Sequence, residues 1–113
     1  QSDIVTLHIP LQNNVGFFTK EMFQRMKPTA YLINTSRDAV IEKGSLTWAL
    51  ENNIIAGAAV DFIDDPELLD YAKNHSNLIL TNHISGCTEE DMQRTESFII
   101  NAVNNYLENE NKL

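Results

Sequence analysis

The stretch Lys27-Pro28-Thr29-Ala30-Tyr31-Leu32-Ile33-Asn34-Thr35-Ser36-Arg37 decides how this sequence is read. Pro28 stops the segment before it, the residues at 30–33 are continuously apolar, and the chain then turns polar from Asn34 to Asp38. A short unbroken apolar run implies a strand covered on both faces, as in a parallel sheet. The polar residues after it then stand at the strand's carboxyl end.

The flanking segments fit that scheme. Upstream, 4–7 (Ile-Val-Thr-Leu) reads as a strand ending near His8, because Pro10 would deny a central strand its ladder donor. Residues 19–26 read as a short helix with Thr19 as N-cap and Phe18 and Phe23 spaced as a hydrophobic staple. Downstream, Leu46, Ala49 and Leu50 share one face of a second helix at about 42–52, weakened in its first turn by Gly44. Residues 54–60 make a third strand whose small residues allow close packing, with Asp61 at its end. An acidic loop is expected at 64–70, a fourth strand at 78–81, and a final helix from about 88. Thr88-Glu89-Glu90-Asp91 resembles a capping box; Met92, Ile99, Val103, Tyr106 and Leu107 recur at helical spacing before a polar tail at 108–112. Trp48, Phe18, Phe23 and Phe98 read as core or interface. Strands alternating with crossovers predict an α/β fold with a Rossmann-like parallel sheet.

Composition narrows the class. The 113 residues are enough for one domain or a piece of one, and the start at Gln1 rather than methionine suggests a processed product or an excised piece, which allows for missing upstream sequence. At 42% hydrophobic and 21% charged the chain reads as globular, with no apolar run near the ~20 residues of a membrane helix. A net charge of -8 argues against nucleic acid and anionic membranes as partners. The lone Cys87 excludes an internal disulfide, and the opening QSDIVTL shows no basic region followed by an apolar signal core, so the expected compartment is the cytoplasm. The triplets at Asn34 and Asn74 carry no weight as glycosylation sites without secretion.

In open α/β sheets ligands bind beyond the carboxyl ends of the strands, which selects His8, Arg37, Asp61 and His83. A guanidinium presents a rigid fork to a carboxylate, and an imidazole titrating near neutrality moves a proton at a carbonyl or hydroxyl. A carboxylate from Asp64-Asp65-Pro66-Glu67 would fix the tautomer. Such a set suits a 2-hydroxy or 2-oxo acid. His83, Cys87 and Asp61 lack metal-ligand spacing, so no metal is expected. His8 and His75 read as strand-end packing and exposed loop rather than catalysts.

Four motifs, SDIVTLHIPL, MKPTAYLINTSR, IIAGAAVDF and LILTNHISGCTEE, stand in an order and spacing that resembles the D-isomer-specific 2-hydroxyacid dehydrogenases. The likeness is to the later half of their doubly wound nucleotide-binding domain. It implies that 1–113 is a partial dinucleotide-binding domain, with the helix from about 88 leading toward a missing substrate domain. It further implies that Arg37 binds the substrate carboxylate, His83 is the general acid/base and Asp65 is its supporting acid. Asp61 would contact the nicotinamide carboxamide, and His8, Pro10, Thr35, Ser36, Arg37, His83 and Gly86 would line the cofactor. The cofactor implied is NAD or NADP, with NAD favoured, and the assembly a homodimer.

The chain departs from the family pattern in several places. Asp38 follows Arg37 where glycine is usual, Gln12 and Val15 replace threonines, and Asn82 replaces the proline before the histidine. Asp65 stands for a glutamate, one residue closer to Asp61 than usual. Only four glycines are present and none forms a G-x-G-x-x-G turn. Asp38 and the missing turn favour the rival reading, a non-catalytic interaction or dimerisation module whose sheet edge pairs with another chain.

Overall fold

The four apolar runs become four strands in the computed structural model, which describes residues 2–62 and 64–110. In chain order the elements are β1 (Ile4–Leu7), α1 (Lys20–Gln24), β2 (Tyr31–Asn34), a 3-10 turn (Asp38–Val40), α2 (Ser45–Glu51), β3 (Gly57–Val60), α3 (Pro66–Asn74), β4 (Leu78–Leu80) and α4 (Glu89–Glu110). The strands lie in the order β1-β2-β3-β4 and every pair is parallel. Register carries Leu7 opposite Asn34, Asn34 opposite Val60 and Val60 opposite Leu80, so the strands end level with one another. The chain divides into two units, Gln1–His83 and Ile84–Leu113.

In the first unit the core lies on one face of the sheet. Leu32, Ala58, Val60 and Leu78 meet Phe23, Leu46, Ala49, Leu50, Leu68 and Tyr71, and the expected apolar face of α2 is buried as a block. Each large apolar side chain among them contributes about 1.5–3 kcal/mol by leaving water, the alanines less. Phe18 and Phe23 form the expected staple, edge to face with ring centroids 4.8 Å apart. Thr19 sits at the N-cap of α1 in extended conformation without a side-chain cap bond; Glu42 Oε2 accepts the Lys20 N–H instead.

The structure corrects two expectations. The run at 30–33 is not covered on both faces: Tyr31 is 52% exposed, and beside it Ile4 and Ile79 are 58% and 62% exposed. Successive crossovers of one hand that step in one direction put their helices on the same side of a sheet, leaving the other side without them. The acidic segment 64–70 is not a loop throughout, because α3 starts at Pro66. Asp65 caps it by accepting the Glu67 N–H, proline suits the first helical position, and Leu68 and Tyr71 bury one turn apart. Boundaries shift elsewhere for similar local reasons. α2 begins at Ser45 because Gly44 takes a left-handed φ of +75°, and β3 begins at Gly57.

The second unit is a turn followed by the long helix α4. Cys87 N–H donates to the Ile84 carbonyl, and Thr88 Oγ1 accepts the Asp91 N–H at 3.1 Å, the cap the sequence indicated. Its apolar residues, including Phe98, Ile99, Val103 and Leu107, are exposed. The part of the expected polar tail past Glu110 lies outside the described residues. Among the described residues no helix is long and apolar enough to cross a membrane.

Gly57 is required by proximity. A Cβ there would lie 2.7 Å from the Asn77 carbonyl oxygen and 3.1 Å from the Tyr31 ring. Gly57→Ala is therefore expected to cost about 1–3 kcal/mol in urea unfolding. An unchanged midpoint would show that β3 has room to spare.

Candidate functional site at the carboxyl edge of the sheet

Because all four strands run the same way, their exits share one edge. β1 leaves into His8, β2 into Thr35-Ser36-Arg37, β3 into Asp61, and β4 into Thr81-Asn82-His83. With strands about 5 Å apart, the exits of β2 and β4 are roughly 10 Å apart with β3 between them. Arg37, Asp61 and His83 thus follow three adjacent strands on one rim.

Below that rim the strand ends are tied by buried polar groups. Asn34, fully buried as the last residue of β2, accepts from both the N–H and the hydroxyl of Ser36, at 2.9 and 2.7 Å. Its amide nitrogen donates to the Arg37 carbonyl at 2.9 Å. Its backbone carbonyl accepts the Asp61 N–H at 3.0 Å. Asp61 is itself buried, and its Oδ1 accepts the Thr81 hydroxyl at 2.5 Å, while the Thr81 N–H reaches the Val60 carbonyl. A buried carboxylate or amide costs several kcal/mol if unpartnered, so these bonds are what allow polar residues to occupy the strand ends.

Above the rim the candidate chemical groups are exposed. Arg37 is exposed, and its Nη1 donates to the Ser36 carbonyl at 2.7 Å, which uses one of its five N–H donors. Asp38 does not pair with it; its Oδ1 accepts the Ala39 N–H and starts the 3-10 turn. His83 is exposed with φ +55°, a left-handed conformation that costs a non-glycine residue of order 1 kcal/mol and clusters at functional sites. His8 sits at the sheet's edge with Nε2 2.9 Å from Thr6 Oγ1, and the Pro10 carbonyl accepts from Asn14. Gly86 lies in the turn of the second unit.

A cavity of about 330 Å³ lies beside this set rather than within it. Asp38, Glu42, Asp64 and Asp65 line it with Ile41, Leu46, Phe62 and Leu68, whereas Arg37, Asp61 and His83 do not. Asp65 reaches it while committing one oxygen to the cap of α3. Glu42 holds its wall by accepting the Ser45 hydroxyl at 2.6 Å together with the Lys20 N–H.

Arg37, Asp61 and His83 were legible in the sequence as strand-end residues. Asn34, Thr81 and Glu42 were not singled out. The available signal was polarity at the last position of an apolar run, but only register reveals which partner each one meets.

A parallel sheet of this order with a polar carboxyl edge defines half of a doubly wound nucleotide-binding fold. The family model for the D-isomer specific 2-hydroxyacid dehydrogenase NAD binding domain matches residues 1–85, and the chain belongs to that family. The chain is similar to a glyoxylate reductase of Thermofilum pendens, 39% identical over 100 residues, covering 83% of this chain and 29% of that protein. Its fold is similar to the NAD-complexed D-isomer specific 2-hydroxyacid dehydrogenase of Lactobacillus delbrueckii ssp. bulgaricus (TM-score 0.70, 30% identity), covering 80% of this chain and 32% of that one. A D-2-hydroxyisocaproate dehydrogenase structure matches with TM-score 0.76 and 26% identity, covering 95% and 37%. The chain therefore spans about a third of the length of these relatives.

The residues present fit one end of a dinucleotide. They are polar at that end of the sheet, where the Thr81 hydroxyl is bonded to the Asp61 carboxylate and the Ser36 hydroxyl to Asn34. The four glycines of the chain, Gly16, Gly44, Gly57 and Gly86, provide no phosphate-cradling turn.

The Ser45 hydroxyl and then the Lys20 N–H hold the Glu42 carboxyl below its ordinary value of 4.5. A depressed folded pKa contributes stability that is full above the ordinary value and lost as pH falls through the lower folded one. Melting temperature followed against pH is expected to show a smaller loss in Glu42→Gln than in the parent as pH falls below the ordinary carboxyl value of 4.5. Parallel acid limbs would refute the assignment.

Proposed function

We propose that this chain supplies the nicotinamide side of the active site in an oxidoreductase that interconverts D-2-hydroxy acids and 2-oxo acids. The observation that carries the reading is the succession of Arg37, Asp61 and His83 beyond three adjacent parallel strands on one edge. NAD, favoured over NADP, supplies or takes up a hydride at the substrate's second carbon when bound. Asp61 holds the carboxamide end, with His8, Pro10, Thr35 and Ser36 lining the same edge and Gly86 assigned to it by family likeness.

The protein's own part is orientation and proton movement. Arg37, exposed at the rim, grips the substrate carboxylate through its guanidinium fork and fixes which face of the second carbon is presented. In reduction, protonated His83 donates to the carbonyl oxygen as it gains charge; in oxidation, neutral His83 accepts the hydroxyl proton. Asp65 is the acid that steadies the imidazolium, through whichever oxygen the α3 cap leaves available. Residues 1–113 are the later part of a dinucleotide-binding domain, with the helix from about 88 leading toward a substrate domain. The whole protein works as a homodimer in the cytoplasm, away from membranes and nucleic acid.

A non-catalytic interaction module is the second reading, favoured by the uncovered apolar face around Ile4, Tyr31 and Ile79. The two separate on kinetics of the full-length protein with NADH and a series of 2-oxo acids. His83→Gln is expected to lower kcat/KM by about 10²–10⁴-fold with folding intact. Arg37→Lys is expected to raise KM for the acid by roughly 10-fold or more, since an ammonium cannot reproduce the bidentate fork. Parental turnover in His83→Gln would sink the enzymatic reading. The 113-residue chain alone, lacking a phosphate cradle, is expected to bind NADH more weakly than micromolar and to reduce no 2-oxo acid. Micromolar affinity with turnover, measured by NADH fluorescence, would contradict this.

A further inference from the structure

We propose that Asn34 is the positioning residue for the carboxylate-binding arginine, an inference that rests on the function proposed above. An exposed arginine on a loop loses rotamer freedom when it grips a ligand, so its affinity depends on how firmly its backbone is already placed. Asn34 supplies that placement from beneath. It is 0% exposed, and its Oδ1 takes both donors of Ser36 while its Nδ2 donates to the carbonyl of Arg37 itself. Through its backbone carbonyl the same residue receives the Asp61 N–H, so one residue sets the start of both the substrate-binding and the cofactor-binding exits.

The chemistry of the position admits few substitutes. Two acceptances and one donation are needed from one planar group within a three-residue turn, which an amide meets in full. Aspartate keeps the shape and the acceptor oxygen but has no donor for the Arg37 carbonyl. Serine is too short to serve both partners, and leucine leaves the part-buried Ser36 N–H and Arg37 carbonyl without this partner. Asn34 does not touch substrate; it acts through Arg37.

Asn34→Asp in the full-length protein is the test, read against NADH and the best 2-oxo acid. KM for the acid is expected to rise ten-fold or more, with KM for NADH changed less than about three-fold. In an Arg37→Lys background the same substitution is expected to move KM for the acid by less than two-fold, because the placement no longer serves a fork. Ser45→Ala, another fully buried polar site but remote from this turn, is expected to lower stability without moving either KM. Should Asn34→Asp fail to fold, Ser36→Ala, which removes one of the three side-chain bonds, is expected to raise KM for the acid by about two- to five-fold and to show the same loss of effect beside Arg37→Lys. Additive effects in the double variants, or an unchanged KM for the acid, would overturn the proposal while leaving the activity standing. A parent protein inactive on every 2-oxo acid tried would remove the activity and this role together.

Discussion

Polar groups buried at strand ends must find partners, and the carboxyl edge of this sheet is organised by that requirement. Asn34 ends β2, Asp61 follows β3 and Thr81 follows β4, each with a side chain or backbone bond to its neighbour. Left unpartnered, any one of them would cost more than a typical hydrogen bond contributes. Paired, they clamp three parallel strand ends into one rim. The level register of the strands makes this possible, because a slip of one residue would turn Asn34 to the other face of the sheet.

Much of the fold was legible because its elements have simple local causes. Apolar runs gave all four strands, and the spacing of Leu46, Ala49 and Leu50 gave α2. The errors also had physical causes. Four apolar letters in a row at 30–33 suggested burial on both faces, yet a strand's alternation leaves Tyr31 in the open while Leu32 is fully buried. Charge density in 64–70 concealed α3, whose real marks were the Asp-Pro cap and the buried pair Leu68 and Tyr71. Gly57 looked like a concession to helix packing, but its constraint comes from the Asn77 carbonyl and the Tyr31 ring.

The candidate site was legible to a different depth. A parallel sheet forces every exit to one edge, so naming the residues after each strand was sufficient to find Arg37, Asp61 and His83. Their supports are pairwise facts that no single segment encodes. Nothing in the letters Asn-Thr-Ser-Arg announces that the asparagine serves both residues after it, nor does Thr81 advertise Asp61, twenty positions earlier. The same holds for Asp38. Its position after Arg37 marked a departure from the family pattern, but only the structure shows its oxygen going to the Ala39 N–H.

The edge thus separates two kinds of work by depth. Asn34 and Asp61 lie buried and hydrogen-bonded to neighbouring strand ends, while Arg37 and His83 stand exposed on the loops that follow. Precision in a site needs rigid placement, but binding and release need side chains that solvent and ligand can reach. A cation or an imidazole buried to the depth of Asn34 would be pushed toward its neutral form or held in an ion pair, and would be poorly disposed to meet an incoming carboxylate. An uncharged amide carries no such penalty once its bonds are made. Placing the amide below and the charge above lets the same short turn be fixed at its base and open to solvent at its tip.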